Sequence, residues 1–291
     1  MASLKEQLET LANNYTACDI SDALLKLQKV PEGSTARAGF LADLSKKAHH
    51  RYLPIIQTKH FAMQKAFLYT KHSRKAPKAN SQLFIAPFSP IIGRNDQAQR
   101  IAAPATTFKF LSKKDNPPAI ALENPEKHGF PPGKHWVDFV GDFAAADPSN
   151  AGSIVVIDQP RDQYCAVTGG IMATRMKVLG IRATVVNGRV RDLRELMETK
   201  LPIWARGTST VGTGAEAKAV VRDVPITIEG VTVSPGDIIF CDPMEGVVAI
   251  PRDLLEPVLE LMPKLITMDD QAKEAVAQGM TVAEAFKSFR A

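Results

Sequence analysis

The sequence predicts an α/β domain built on a mixed sheet, with helices at both ends of the chain. Three observations lead there. Between residues 153 and 207, β-branched runs alternate with helical segments: SIVVID, GGIMATRMKVLG, ATVVNG, LRELMETK, IWARG. Strands alternating with helices make parallel βαβ units. Beyond residue 224 the strands PITIEGVTV, IIFCD and VVAIP follow one another through short turns, which is antiparallel connectivity. The first and last stretches of the chain read as amphipathic helices.

In order, residues 4–13 predict a helix, and residues 21–28 a second in CDISDALLKLQ, with Ser21 as N-cap. Residues 1–45 thus form an N-terminal helical segment. Residues 46–100 mix basic, apolar and Pro-containing pieces without a sustained period and read as an insertion. PATTFKFL (104–111) returns as a strand, and 113–135, with two Pro-Pro pairs, reads as a loop. The α/β core covers 101–291. Within it SIVVID (153–158) is a buried strand and residues 169–180 a helix bracketed by glycines, with Gly180 just past the end. ATVVNG then ends at Asn187-Gly188, a pair suited to a turn because both residues tolerate positive φ. A hairpin turns at Glu229-Gly230, Pro235-Gly236-Asp237 turns into IIFCD, and Met244-Glu245-Gly246 precedes VVAIP. Three helices close the chain near 252–262, 268–278 and 281–289.

Composition narrows the function classes. The chain has 291 residues, 45% of them hydrophobic, which is enough for a sizeable core, and no apolar run of membrane-spanning length. MASLKEQLETLANN is a polar amphipathic start without the apolar region of a secretory signal. Three widely spaced cysteines, Cys18, Cys165 and Cys241, fit a reduced compartment better than a disulfide framework, so a cytoplasmic location is expected. The net charge of +5 is unevenly spread. Residues 46–80 hold nine Lys or Arg and no acid; without them the chain stands at −4. The body is mildly acidic and the segment lacks a nucleic-acid motif, so no nucleic-acid partner is expected. Four of the six histidines lie in that segment (His49, His50, His60, His72), without metal-ligand spacing.

Two loops carry the chemistry. DQPRDQYCAVTGG (158–170) feeds the helix beginning at Gly170, and Arg191-Asp192 precedes LRELMETK. Consecutive strands of a βαβ unit end side by side, so these loops should converge at the carboxyl edge of the sheet, where open α/β folds bind ligands. A glycine-flanked helix N-terminus offers free N–H groups to an anion. Arg191 adds a planar fork for a carboxylate, and Asp192 a hard oxygen for Mg²⁺ or Mn²⁺. Gly-Gly as a packing device and Asp192 as a helix cap are the plain alternatives.

The ordered set GG, GxxRD, ARG and PGD…GVV…P, carried by GGIMATRMKVLG, RATVVNGRVRDLRE, LPIWARGTST and PGDIIFCDPMEGVVAIP, resembles the RraA-like family. That family contains 4-hydroxy-4-methyl-2-oxoglutarate/4-carboxy-4-hydroxy-2-oxoadipate aldolases and regulators of ribonuclease E activity. The resemblance covers about residues 100–291, and CDISDAL resembles the family's N-terminal helix. It implies a β/β/α swivelling domain, assembled as homotrimers or hexamers with sites at subunit boundaries. It further implies a class II aldolase that releases pyruvate from a small 2-oxo acid and also decarboxylates oxaloacetate. By position, Asp192 would hold Mg²⁺ or another divalent cation, largely through water. Arg191 would bind the oxo acid. Gly169 and the backbone of Gly170, Ile171 and Met172 would hold the pyruvyl carboxylate. An acid from a neighbouring subunit's C-terminal helix would correspond to Asp269 or Asp270, which otherwise read as first-turn helix acids, and Asp22 is placed likewise near the site. Where the family often has Asp-Gly, this chain has Asn187-Gly188, which removes a charge expected near the cation.

Alternative readings are fewer. A non-catalytic regulator would not need the Arg-Asp pair. A methyltransferase reading rests only on GTGAEA (212–217), which follows ARGTSTV rather than opening a helix, and no GxGxxG follows a strand to suggest a dinucleotide site.

Overall fold

The computed structural model describes residues 2–28, 38–41, 45–46 and 99–290; the basic insertion expected at 46–100 lies, apart from residues 46, 99 and 100, outside them. Helix α1 (Leu4–Asn14) begins on a capping box between Ser3 and Glu6, and α2 (Ala17–Leu27) on a second one between Thr16 and Asp19. Ser21 is therefore not an N-cap, and Asp22 lies inside α2 rather than in its first turn. The Thr16–Asp19 pair wins because it satisfies free backbone N–H groups reciprocally, which Ser21 alone could not do.

The long strand β2 (Ile101–Ser112) organises the sheet. Its first part pairs antiparallel with β10 (Ile238–Asp242), its middle parallel with β3 (Ile154–Asp158), and its end antiparallel with β7 (Ala217–Arg222). Pro104 sits where the β10 ladder ends, and Ala105 N–H then donates to Asp237 O at 2.8 Å. A missing N–H does least harm at such a boundary. With β1 (Ser45–Lys46), β5 (Ala183–Val190), β6 (Ile203–Thr208) and β11 (Gly246–Ile250), the strand order is β1-β6-β5-β3-β2-β10-β11; β4 (Ala166–Thr168) pairs with β5. The β3–β5–β6 run is parallel and the β2–β10–β11 run antiparallel, the mixed sheet expected.

Burial follows from this order. Helix α6 (Gly170–Val178) and helix α7 (Leu193–Thr199) cover one face through Ala173, Met176 and Leu196, against Val155, Ile157 and Val186. The opposite face packs Val156, Val185 and Trp204 against a hairpin of β8 (Ile226–Ile228) and β9 (Val231–Val233). That hairpin turns at Glu229 (φ 51°) and Gly230 (φ 82°), the left-handed pair a two-residue hairpin needs. Helices α1, α2 and α8 (Leu255–Ala277) enclose a further core with Phe240 and Val248.

Three more expectations are corrected. Residues 113–135 are not all loop: α3 (Ala119–Glu123) and α4 (Pro125–His128) form there, each started by a proline, whose missing N–H is harmless at a helix start. A further short helix, α5 (Asp142–Ala146), follows. The helices expected at 252–262 and 268–278 are one, α8, running through Pro263 before α9 (Val282–Phe289). Its apolar stripe continues past the proline from Val258 and Met262 to Leu265 and Ile266, and burial of that stripe outweighs one lost hydrogen bond. Asp269 and Asp270 therefore lie mid-helix, not in a first turn.

Asn187-Gly188 is not a turn either. Strand β5 passes through both, neither has positive φ, and Asn187 is buried. The pairing of β5 with β6 shifts register between Val186 and Arg189, so the glycine marks a bulge. A Cβ at Gly188 would stand 2.2 Å from Gln159 Oε1. Asn187 Nδ2 donates to Asp158 Oδ1 at 2.8 Å. Burial raises the Asp158 carboxyl above its ordinary value, with Asn187 and Lys109 opposing the rise.

One buried cation ties the segment 125–142 to the sheet. Arg222, on β7, donates to the carbonyls of Gly129 (3.2 Å) and Glu126 (2.6 Å), pairs with Asp142 (3.1 Å) and lies 4.5 Å from the Phe139 ring centroid. Arg222→Ala strips these carbonyls of their donor and is expected to lower unfolding stability by about 3 kcal/mol, read by urea denaturation. A second prediction concerns pH. Because Asp158 titrates higher folded than unfolded, the stability linked to this group is present below the unfolded value and lost as pH rises through the folded one. Asn187→Asp sets a second carboxylate against it and enlarges that loss. The variant should match the wild type near pH 4 and fall below it by about 1–3 kcal/mol at pH 8. An equal deficit at both pH values would show that the loss is steric.

Candidate functional site

Strands β4 and β5 run parallel, so their exits lie together: β4 passes through Gly169 into α6, and β5 through Arg191-Asp192 into α7. Arg191 N–H donates to Thr168 O at 3.0 Å, which locks one exit to the other. The convergence expected of these two loops is present.

Asp192 is left-handed (φ 57°, ψ 45°), which costs a non-glycine residue about 1–2 kcal/mol. It occupies the N-cap position of α7 but makes no side-chain cap bond. Its carboxylate turns the other way. Oδ2 accepts the Gly170 N–H at 3.3 Å and stands 3.3 Å from Arg191 Nε. No hydrogen bond reaches Oδ1 among the described residues. The plain capping role thus fits its position and not its side chain.

The glycines exist for this approach. A Cβ on Gly169 would meet Asp192 Oδ2 at 2.4 Å, and one on Gly170 would meet Glu195 Oε2 at 1.9 Å. One on Gly212 would lie 2.9 Å from an Arg191 terminal nitrogen. GTGAEA, read from sequence only as a superficial glycine-rich loop, therefore supplies a seat for the Arg191 guanidinium. At the start of α6, Ala173 N–H is the first to close onto the helix, bonding Gly169 O at 3.0 Å. Gly170 N–H turns to Asp192, and the N–H groups of Ile171 and Met172 make no hydrogen bond among the described residues. These donors sit at the positive end of the helix dipole.

The exits form one wall of a cavity of about 350 Å³, lined by Gly169, Ile171, Met172, Arg191 and Asp192. Thr168 also lines it, and its buried hydroxyl has no partner among the described residues. Trp136 and Phe110 form an apolar wall; His135 and Lys218 bring basic groups from other elements. Lys218 makes no ion pair among the described residues. His135, Trp136, Lys218 and Glu195 were missed by sequence reasoning. The first two follow a Pro-Gly-Lys turn in a supposed loop, and Lys218 lies in a strand with no charge pattern to single it out.

Within this chain Asp269 pairs with Arg290 and Asp270 with Lys273 at 3.2 Å. The role expected of these two acids is at a neighbouring subunit's site, on which the cavity of a single chain does not bear; Asp22 does not line this chain's cavity. Asn187 does not line it either, so it removes no charge from the cavity wall.

Among the described residues no cluster of three or more His, Cys, Asp or Glu could hold a metal. A four-ligand zinc site is therefore not formed by these side chains. A hard cation that keeps most of its water needs only one or two carboxylates, and the Oδ1 edge of Asp192, which lines the cavity, fits that requirement.

A family model described as "Aldolase/RraA", of the RraA-like family, matches residues 87–249. Protein DlpA of Legionella pneumophila is 29% identical over 195 residues, 66% of this chain and 28% of that protein. A Halalkalibacterium halodurans protein named "Putative 4-hydroxy-4-methyl-2-oxoglutarate aldolase" is 32% identical over 138 residues, 47% of this chain and 65% of that protein. The chain thus spans less than two thirds of the length of either relative. The crystal structure of Streptomyces coelicolor RraAS2, described as an unusual member of the RNase ES inhibitor RraA protein family, superposes with a TM-score of 0.53. It is 16% identical and covers 94% of this chain and 96% of that one, a likeness of fold. With its mixed sheet, terminal helices and paired strand exits, this chain belongs to the RraA-like family.

Proposed function

We propose that this protein is a divalent-cation-dependent carbon–carbon lyase that releases pyruvate from 4-hydroxy-4-methyl-2-oxoglutarate-type substrates and decarboxylates oxaloacetate. The observation that carries the reading is the Asp192 carboxylate, diverted from its helix cap to face Arg191 and the start of α6. Relatives named as aldolases support it. The Ile171 and Met172 N–H groups, with the helix dipole behind them, bind the carboxylate of the 2-oxo acid. Asp192 would hold Mg²⁺ or Mn²⁺, largely through water. When bound, the cation supplies Lewis acidity toward the 2-oxo group. In the aldol substrate the 4-hydroxyl gives up its proton as C4 becomes the carbonyl of the departing 2-oxo acid, and in oxaloacetate C4 departs as carbon dioxide. In both, the C3–C4 bond breaks and its electron pair moves toward the 2-oxo oxygen. Arg191 presents a permanent positive charge to that developing anion. Trp136, Phe110 and Met172 exclude water from the reacting carbons. The released C3 carbanion equivalent takes up a proton from solvent to become pyruvate. We further propose a homotrimer or hexamer, since Ile171, on the cavity rim, is 74% exposed and a second copy would cover it.

Pyruvate release is measured from oxaloacetate and from 4-hydroxy-4-methyl-2-oxoglutarate, with Mg²⁺ and with EDTA. Turnover should require the cation and fall by about 10²–10³-fold in Asp192→Ala and in Arg191→Ala, with both variants folded. If the wild-type oligomer gives only the rate of free Mg²⁺, the lyase reading fails and a non-catalytic regulatory role takes its place.

A further inference from the structure

His135 lines the cavity that holds Arg191 and Asp192, yet it comes from the 125–142 segment and from neither strand exit. The residue beside it fixes its position. Trp136, only 7% exposed, packs edge-on against Phe110 (centroids 5.3 Å apart) and Phe108 (5.5 Å). The His135 ring centroid lies 5.9 Å from that of Trp136. Trp136–Phe139 is a short 3₁₀ turn, and His135 is its N-cap. The ring itself makes the cap: Nδ1 accepts the Val137 N–H at 3.3 Å. A neutral imidazole that accepts at Nδ1 carries its proton on Nε2. Nε2–H is therefore a donor, and it makes no hydrogen bond among the described residues. His135 is exposed, so this edge of the ring is free to meet a ligand. With Nδ1 occupied, the ring offers no lone pair to a substrate proton. It offers a hydrogen bond.

The charges of the cavity point to what this donor meets. Among the described residues lining it, Arg191 and Lys218 are cations and Asp192 is the one carboxylate. Asp192 already stands 3.3 Å from Arg191 Nε. A hard cation bound at Asp192 would make the cavity more positive still. Such a balance suits a ligand with two negative charges rather than one. The volume, about 350 Å³, leaves room beyond a bound pyruvyl unit. We infer that His135 is a specificity-determining residue whose Nε2–H binds the second carboxylate of the substrate, the one carried by C4 in 4-hydroxy-4-methyl-2-oxoglutarate. This role rests on the lyase reading above. In oxaloacetate the second carboxylate is the group that leaves as carbon dioxide, and a donor there would hold its charge in place. His135 thus favours the aldol over the shorter acid.

The test uses 2-oxoglutarate and 2-oxopentanoate, which lack the 4-hydroxyl and are not cleaved. They differ only in whether C5 is a carboxylate or a methyl group. Their dissociation constants are measured by titration calorimetry on the whole protein with Mg²⁺ present. Wild type should bind 2-oxoglutarate about tenfold more tightly, or better, the scale of one hydrogen bond to a charged group. His135→Asn keeps an acceptor for the Val137 N–H and has nothing at the Nε2 position; it should lower that ratio about tenfold. His135→Gln gives up the cap but carries an amide N–H to the Nε2 position, and should keep most of the ratio. Equal affinities in wild type overturn the role of His135 and leave the lyase reading standing. So does a ratio that survives in His135→Asn, or one lost only in His135→Gln, since either makes the ring a cap and nothing more. If wild type binds neither ligand nor pyruvate, the lyase reading falls and the role of His135 with it.

Discussion

The close approach of two strand exits is the constraint on which the site depends. Asp192 turns its carboxylate back onto the first N–H of α6, and for that it must take a left-handed backbone and give up its cap bond. Gly169, Gly170 and Gly212 are each required by a side chain that comes too near for a Cβ: Asp192, Glu195 and Arg191. The glycines are thus consequences of side-chain packing between exits. They also leave the N-terminus of α6 open to a small anion.

The sheet makes that approach possible. Parallel pairing of β3, β4 and β5 brings consecutive exits to one edge, and the apolar layers on both faces hold them there. The far wall of the cavity is built differently. His135 and Trp136 reach it on the 125–142 segment, beside Phe110 of β2 and Lys218 of β7, and that segment is held by the carbonyl and carboxylate contacts of Arg222. A buried guanidinium is costly unless several acceptors meet it, and here they come from stretches far from it in sequence.

Strand β5 borders two polar cavities of different character. On one, a carboxylate, an arginine and a helix start lie together; the other is lined by Gln159, Gln163, Arg161, Arg189 and Arg206. The bulge between Val186 and Arg189, whose Gly188 and Arg189 line the second cavity, changes which side of the strand each following residue meets. Asn187 lines neither cavity; its amide donates to Asp158 and its carbonyl accepts from Arg206, so the residue bears on the stability of β5 rather than on the main cavity.

By itself the sequence determined the parallel β3–β5–β6 run, the Glu229-Gly230 hairpin, the terminal helices and the meeting of Arg191-Asp192 with the Gly169-Gly170 exit. Each of these rests on local chemistry: β-branched runs, turn residues and helix caps. Local rules failed where long-range packing outweighed them. Asn187-Gly188 looks like a turn, but burial between β3 and β6 extends the strand through it. Pro263 looks like a helix end, but the apolar stripe of α8 carries the helix past it. His135, Trp136 and Lys218 had no local signature at all. Which residues share a cavity is set by contacts between distant segments, and only the tertiary structure decided that.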